Sequence, residues 1–524
     1  MMRDPLRELL IRNPVLRQRD AGVVSPLTLV DCPSSAIHDA CLALSSAGCS
    51  FSSIIAEGVP NRVQLLYLFR LRHGAGWYGL LVQLQDDAIS LPSIATVLPA
   101  ADWHEREVED LFGVIFEGHP RLGDFVLHDQ RWREQLMPMT PGVEVIAEEA
   151  RPPHSRPWTP QRLVEAPGGF TMPVGPVYSG VAESGLFLLE TLGEDVIRAF
   201  PRLFYKYRAI EKIVEGQSTA DALLRVERCS GTSALAHAWA FAQAVERICG
   251  FIVDDDTVAL RAFFAELERY RHHVATIREI CESTSTLVAT SQAAIVEEEV
   301  LRLCGELGGH RYLFGVVVPG GIAVRPSPDT LQKALKRLHV IDARLRKLQR
   351  LLWYSSSFRD RIEEVGIIAP SAAASHGLVG PLARASAATE DLRATQPYSP
   401  YDKCSFQIPS QVEGDGYARL GVLFAEAEQS LVLMGELAGR ELFPAPAQTL
   451  VPAAGAALGW VEAPRGAAII FVRVHKNGTI ERLRLTTPSF TNWRGFYLAT
   501  ERFAFQDFPI ILATLDLSIA ENDR

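Results

Sequence analysis

Seven prolines fall between residues 138 and 167: Pro138, Pro141, Pro152, Pro153, Pro157, Pro160 and Pro167. Each fixes its own φ and removes a backbone donor, so the stretch reads neither as helix nor as central strand. A surface linker over 131–168 is expected, dividing the 524 residues into two folding units, each with chain enough for a sizeable core.

Ahead of the prolines, "RVQLLYLFRLRHGAGWYGLLVQLQ" (62–85) predicts two strands around a turn at Gly74–Gly76. "ADWHEREVEDLFGVIF" predicts a short helix with Val108, Leu111 and Phe112 on its apolar edge and Gly113 at its end. Asp102 and Glu105 have the spacing of a capping box. Residues 1–130 are thus expected to form a small α+β domain.

Beyond the prolines, helical periodicity runs from about 185 to 445. In "DDDTVALRAFFAELERYRHHVATIREI" the residues Leu260, Phe263, Phe264, Leu267, Val274 and Ile277 share one face, and the aspartates suit a helix start. Glu266, Arg269 and His273 form a polar seam beside that stripe, most simply an intrahelical network, with a proton or coupling path as the alternative. A second helix, 331–352, repeats leucine or isoleucine from Leu331 to Leu352, and its other face carries seven basic residues and Asp342. That face reads as solvated surface, or else as a dock for an acidic partner or lipid headgroups. Asn477-Gly478 then predicts a β-hairpin. The fold class is α+β: a small α+β domain, then a large, mainly helical domain (169–524) with β-hairpin elements.

A net charge of −10 makes nucleic acid an unexpected partner. No run approaches the roughly 18 apolar residues of a membrane span, and "MMRDPLRELLIRNP" lacks a signal peptide's apolar core, so a soluble, cytoplasmic chain is expected. None of the eight cysteines forms Cys-x-x-Cys, which argues for reduced, mostly buried thiols rather than an all-cysteine metal site. Yet in "RVERCSGTSALAHAWAFAQAVER" (225–247) Ser230 and Ser233 are spaced as thiolate ligands often are. His237 lies four residues on, and Cys229 stands beside the pair. The residues alone leave three readings open: a metal site, its remnant, or a buried helix start.

"EREVEDLFGVIFEGHP" (105–120) resembles the small peripheral-arm subunit of respiratory complex I. The second domain resembles the large subunit of formate hydrogenlyase-type (group 4) membrane-bound nickel–iron hydrogenases, homologous to the quinone-site subunit of complex I. The matches run in order through "GPVYSG", "YRAIEK", "RVERCSGTSALAH", "AELERYRHHV", "VGPLARAS", "EAPRG", "PSFTNW" and "TLDLSIAENDR". The resemblance implies a hydrogenase large-subunit-like fold in a membrane complex. It also implies two Cys-x-x-Cys pairs; these fall on Ser230 and Ser233, and on Ser518 and Glu521, so none of the four thiolates is present. Protonated hydroxyls do not bridge or select soft-ligand metals. A nickel–iron centre is therefore not expected, and a site for a hard cation is the remote alternative.

Catalytic relatives carry a C-terminal extension removed after nickel insertion, and the end at Arg524 is expected to lack one. The quinone pair of complex I is missing too: Tyr178 stands where the first loop histidine would lie, and Gly231 at the tyrosine position. By resemblance, Glu211 matches a proton-moving glutamate and Arg465 the arginine over the metal's open face. Arg384 reads as a paired structural arginine. Glu211, Arg465 and His237 are the candidate cavity residues, with Tyr178 as a conjectural acceptor contact. The implied setting is an energy-converting complex on the cytoplasmic side of the inner membrane, with an iron–sulfur partner subunit, antiporter-like membrane subunits and a possible quinone. The chain itself is expected to hold no cofactor. An atypical hydrogenase and a non-catalytic coupling scaffold are the alternative functions.

Overall fold

Alternation in the 62–85 ribbon is realised on both of its faces. Leu66, Leu68, Trp77 and Leu81 join one core, while Leu65, Tyr67, Phe69, Leu80 and Val82 join another. In the computed structural model, which describes residues 5–13, 15–19, 26–59, 62–85, 89–123, 125–128, 138–139, 167–177 and 183–524, this ribbon lies inside a five-stranded sheet. The order is Arg17–Arg19, Leu27–Asp31, Trp77–Gln85, Arg62–Leu71, Cys49–Val59, with Leu27–Asp31 and Trp77–Gln85 parallel and the other pairs antiparallel. Most of the expected linker lies outside the described residues.

The helix after the sheet spans Asp102–Phe112 and ends at Gly113 in the left-handed region (φ 74°), as its sequence predicts. The capping box does not form. A 3-10 turn, Pro99–Ala101, runs straight into the helix, and both acids are buried for other purposes. Asp102 pairs with Arg494 and Arg121, whereas Glu105 accepts from Ser93 Oγ at 2.5 Å and from the Ile94 amide at 2.8 Å.

Among the described residues the large domain is built on five long helices, one of them Leu287–Gly308, which precedes Pro328–Trp353. Ala234–Cys249, Asp255–Ser283, Pro328–Trp353 and Gly416–Ala438 bury their apolar faces in one core with the three-stranded sheet Gly455–Ala463, Gly466–Val474, Ile480–Thr486. Asp254 caps the second helix, accepting from the Thr257 amide at 2.9 Å. In Pro328–Trp353 the predicted leucine stripe is buried, but Asp342 departs from expectation. It lies inside, bonded to Tyr270 and Arg346, while Arg337 and Arg344 pair with Glu306 and Glu299 of the preceding helix. That pairing answers part of the basic face locally.

The two halves are not separate bodies. Leu27, Leu29, Ile55 and Trp77 share a core with the large domain's helices, and Trp77 meets Trp460 with ring centroids 5.3 Å apart. Arg473 forks onto Glu57 at 2.7 and 2.8 Å, and Ser53 bonds Thr486 at 2.7 Å. Among the described residues no helix is long and apolar enough to cross a membrane.

Candidate functional site

Arg465 sits in the tight turn between strands Gly455–Ala463 and Gly466–Val474. Gly466 (φ 129°) and Gly380 (φ 68°) let that turn lie directly on the backbone of the short helix Gly380–Arg384; a Cβ at Gly380 would fall on the Arg465 carbonyl. Asn492 ties the same junction, its side chain bridging the Val379 amide and carbonyl at 2.9 and 3.0 Å.

The guanidinium held there opens toward the 230–233 stretch and the 516–521 stretch, where the resemblance places the thiolates, and bonds one of those four positions, Glu521, directly. Arg465 reaches Asp516 Oδ1 at 3.0 Å, Glu521 Oε1 at 3.4 Å and Thr232 Oγ1 at 2.7 Å. Thr232 in turn exchanges a hydrogen bond with Ser230 at 3.0 Å. Ser233 donates to Glu521 Oε1 at 3.3 Å, and the Glu521 amide donates to Ser518 Oγ at 3.2 Å. Ser518 also donates to Glu183, at 3.4 Å to one oxygen. Ser230, Ser233, Ser518 and Glu521 are therefore gathered into one buried site with Arg465.

That site does not suit a soft bimetallic centre. Its donors are hydroxyls and one carboxylate, and the carboxylate is engaged by an arginine, a fixed cation where a metal would need to bind. Among the described residues no group of three or more His, Cys, Asp or Glu side chains is arranged to hold a metal ion. Cys229, out of register, is fully buried, and burial pushes its thiol up to about 12. The void bounded by Arg465, Asp516, Asn492 and Pro381 is about 10 Å³, about one water molecule.

The electrostatics follow from burial. Desolvation is the strongest influence and would raise the Asp516 and Glu521 carboxyls, but Arg465 together with His272 at the first, and with His237 and the Ser489 hydrogen bonds at the second, outweighs it, and both stay below the usual carboxylate range. His237 is wholly buried, and desolvation lowers it despite Glu521. Its ring approaches the backbone of Ser233, but neither nitrogen reaches hydrogen-bonding geometry with a described residue. His272 bonds Asp516 at 2.6 Å through Nε2, and burial holds it down at about 4. Glu268 accepts from the Leu235 and Ala236 amides at 2.8 and 3.0 Å, fixing the start of the Ala234–Cys249 helix that carries His237.

Glu211 is not part of this group. The sequence suggests a carboxylate and a guanidinium, Glu211 and Arg465, each perturbing the other, but each has its own partners. Glu211 lies against strand Ile480–Thr486, accepting from Arg482 at 3.0 Å, Arg484 at 3.4 Å, Arg524 at 3.3 Å and the Leu485 amide at 2.9 Å. Glu107, from "EREVEDLFGVIFEGHP", completes that cluster by pairing with Arg484 at 2.5 Å and Arg524 at 2.7 Å. Tyr178 lies outside the described residues. Sequence reasoning missed Asp516, Thr232 and His272. All three stand inside matched stretches, and their only signal was adjacency to residues already singled out.

Comparison with known proteins bears on the fold and the family. Residues 287–440 and 439–524 match the family described as respiratory-chain NADH dehydrogenase, 49 Kd subunit, and residues 30–146 match the 30 Kd subunit of the same enzyme. Formate hydrogenlyase subunit 5 of Escherichia coli is 27% identical over 456 residues, covering 86% of this chain and 79% of that protein. The C/D subunit of the NADH-quinone oxidoreductase of Gluconacetobacter diazotrophicus is 28% identical over 488 residues, covering 85% and 81%. A chain of the membrane-bound sulfane sulfur reductase, an archaeal respiratory membrane complex, shares the fold, with TM-score 0.63 at 23% identity over 68% of this chain and 99% of that one. The chain is homologous to peripheral-arm subunits of complex I and formate hydrogenlyase. The 30 Kd and 49 Kd subunit families of respiratory-chain NADH dehydrogenase are thus both matched within this one polypeptide, as fused domains.

Proposed function

We propose that this chain is the peripheral-arm subunit of an energy-converting membrane oxidoreductase complex in which the nickel–iron site has been replaced by an ionic lock. The observation that supports it is the Arg465–Glu521–Ser233 arrangement standing at the thiolate positions. In that reading, residues 1–130 dock the chain, 131–168 connect, and 169–524 carry the site. The complex sits peripherally on the cytoplasmic side of the inner membrane, beside an iron–sulfur subunit and above antiporter-like membrane subunits. Electrons from the partner's cluster reduce a quinone or another acceptor near Arg465, with Tyr178 as a contact.

A second reading is favoured by the way the site is filled: Arg465, Thr232, Ser233 and Glu521 are bonded to one another, an arrangement that suits a coupling scaffold that transmits movement rather than an acceptor pocket. Arg465→Lys and Tyr178→Phe in the purified complex separate the two. A fall in quinone reduction with either variant supports the acceptor site. Unchanged turnover with lost ion pumping supports the scaffold. Full turnover and full pumping in both variants contradict both readings.

A further inference from the structure

A cavity of about 380 Å³ lies between the N-terminal sheet and the segment that follows the Gly380–Arg384 helix. Ser50, Arg70 and Arg72 line it from the sheet; Ser386, Asp391 and Glu462 line it from the large domain. Arg70 Nε and Ser386 Oγ are buried there without a described protein partner, so the space is polar enough to hold water. Arg70 and Arg72 reach across to Glu390 of the large-domain segment, at 2.8 and 3.8 Å.

Behind Asp391 and Glu462 stands a closed ionic cluster drawn from five parts of the fold. Arg384 reaches Glu462 at 2.9 Å, Asp391 at 3.4 Å and Glu426 at 2.6 Å. Arg393 reaches Asp391 at 2.8 Å and Glu266 at 2.9 Å. Arg269 reaches Glu266 at 3.2 Å and lies 4.0 Å from Glu426, while Tyr401 and Ser430 donate to Glu266. Four carboxylates (Glu266, Asp391, Glu426, Glu462) thus face three guanidiniums (Arg269, Arg384, Arg393), all of them buried. His273 beside Glu426 is held neutral by burial, so with the carboxylates and guanidiniums ionised the cluster carries an uncompensated negative charge, which an interior does not tolerate cheaply.

The geometry selects the member that gives way. Glu266 has two arginines and two hydroxyls, and Asp391 has two arginines. Glu426 has Arg384 and His273 Nε2 at 3.0 Å; a carboxylate only accepts, so that nitrogen carries the hydrogen. Glu462 has a share of Arg384 and the Leu392 amide at 3.0 Å, with the Tyr398 hydroxyl on its backbone rather than its carboxyl. It is the least compensated of the four, and it borders the cavity. We propose that Glu462 is a proton-storage site: its carboxyl holds the one proton that neutralises the cluster and exchanges it with water in the interdomain cavity.

Burial and the neighbouring Asp391 raise the Glu462 carboxyl, in the same direction. On loss of the proton to a cavity water, the carboxylate stays between Arg384 and the Leu392 amide, and its charge is balanced when another proton returns. On the inner side His273 Nδ1 has no described partner, and its ring lies 6.0 Å from that of His272, which joins Asp516 and Arg465. The store therefore adjoins the candidate site, whichever acceptor that site serves.

Infrared difference spectroscopy on the full chain near neutral pH tests it. The wild-type minus Glu462→Gln spectrum is expected to show the loss of one protonated-carboxyl band that shifts down in D2O, with carboxylate bands unchanged. Loss of carboxylate bands instead would overturn the proposal. Should the glutamine variant fail to accumulate, Glu462→Asp is expected to shift the same band, and an unshifted band would overturn it equally. Ala388→Phe, which fills the cavity, is expected to keep the band and slow its exchange into D2O several-fold. Exchange at the wild-type rate would refute the cavity as the route.

Discussion

Arg465 carries opposite duties with one group. Its guanidinium is the only positive charge within hydrogen-bonding distance of both Asp516 and Glu521 among the described residues, and it reaches Thr232 besides. Arg465→Met should strand the buried Glu521 and the part-exposed Asp516 and lower stability by about 3 kcal/mol, read by urea unfolding. Arg465→Lys should recover only part, because an ammonium lacks the fork that spans both acids. A loss below about 1 kcal/mol, the order expected of a surface pair, would mean that the lock is solvated. His272 sets a pH dependence at the same scale. Its folded value of about 4 lies below the ordinary 6.5, so the unfolded chain binds the extra proton first. Its stability contribution is complete above pH 6.5 and is lost as pH falls toward 4. Between pH 7 and pH 5, His272→Gln should lose roughly 2 kcal/mol less stability than the wild type, compared by denaturant unfolding at both values. Equal losses would mean that the imidazole is open to solvent. Asp516 and His272 were illegible in the sequence for a physical reason. They become meaningful only once the chain end lies across the Asp255–Ser283 helix, a long-range fact that no local spacing encodes.

Among elements, the helices and the Asn477-Gly478 hairpin were legible because each follows a local rule: an apolar stripe, a capping aspartate or a turn dipeptide. The hairpin that presents Arg465 was not, since Pro464 and Gly466 mark a turn but Pro464-Arg465 is no hairpin dipeptide, and its geometry depends on Gly466 meeting Gly380. Spacing also misled. Asp102 and Glu105 look like a capping box but serve Arg494 and Ser93, and Asp342 looks solvent-facing but is sealed beneath Arg346. The Glu266–Arg269–His273 seam is intrahelical only between its first two members; its other bonds run to Arg393, Tyr401, Ser430 and Glu426. Gly380→Ala should force the Gly380–Arg384 helix off the Arg465 turn and destabilise by at least about 2 kcal/mol, far more than an exposed helical substitution. A thermal midpoint equal to wild type would show that the junction yields freely.

For the whole molecule, the proline run divides the sequence but not the core. Leu66 and Trp77 face helices of the large domain, while Leu65 and Phe69 share the second cluster with Phe490 and Trp493. Ionic ties repeat the pattern through Glu57–Arg473 and Glu107–Arg524. The chain should therefore unfold in one transition, and residues 169–524 expressed alone should expose the face that covers Trp77 and aggregate. A soluble, cooperatively folding 169–524 fragment would show the first domain to be dispensable.

An arginine–carboxylate lock in place of a soft-metal centre is the claim on which the rest depends. Metal analysis of the purified complex, paired with hydrogen-dependent dye reduction, tests that claim most directly. The predicted result is nickel well below stoichiometry with no hydrogen-dependent reduction. Stoichiometric nickel bound among Ser230, Ser233, Ser518 and Glu521, with hydrogen turnover to match, would contradict it.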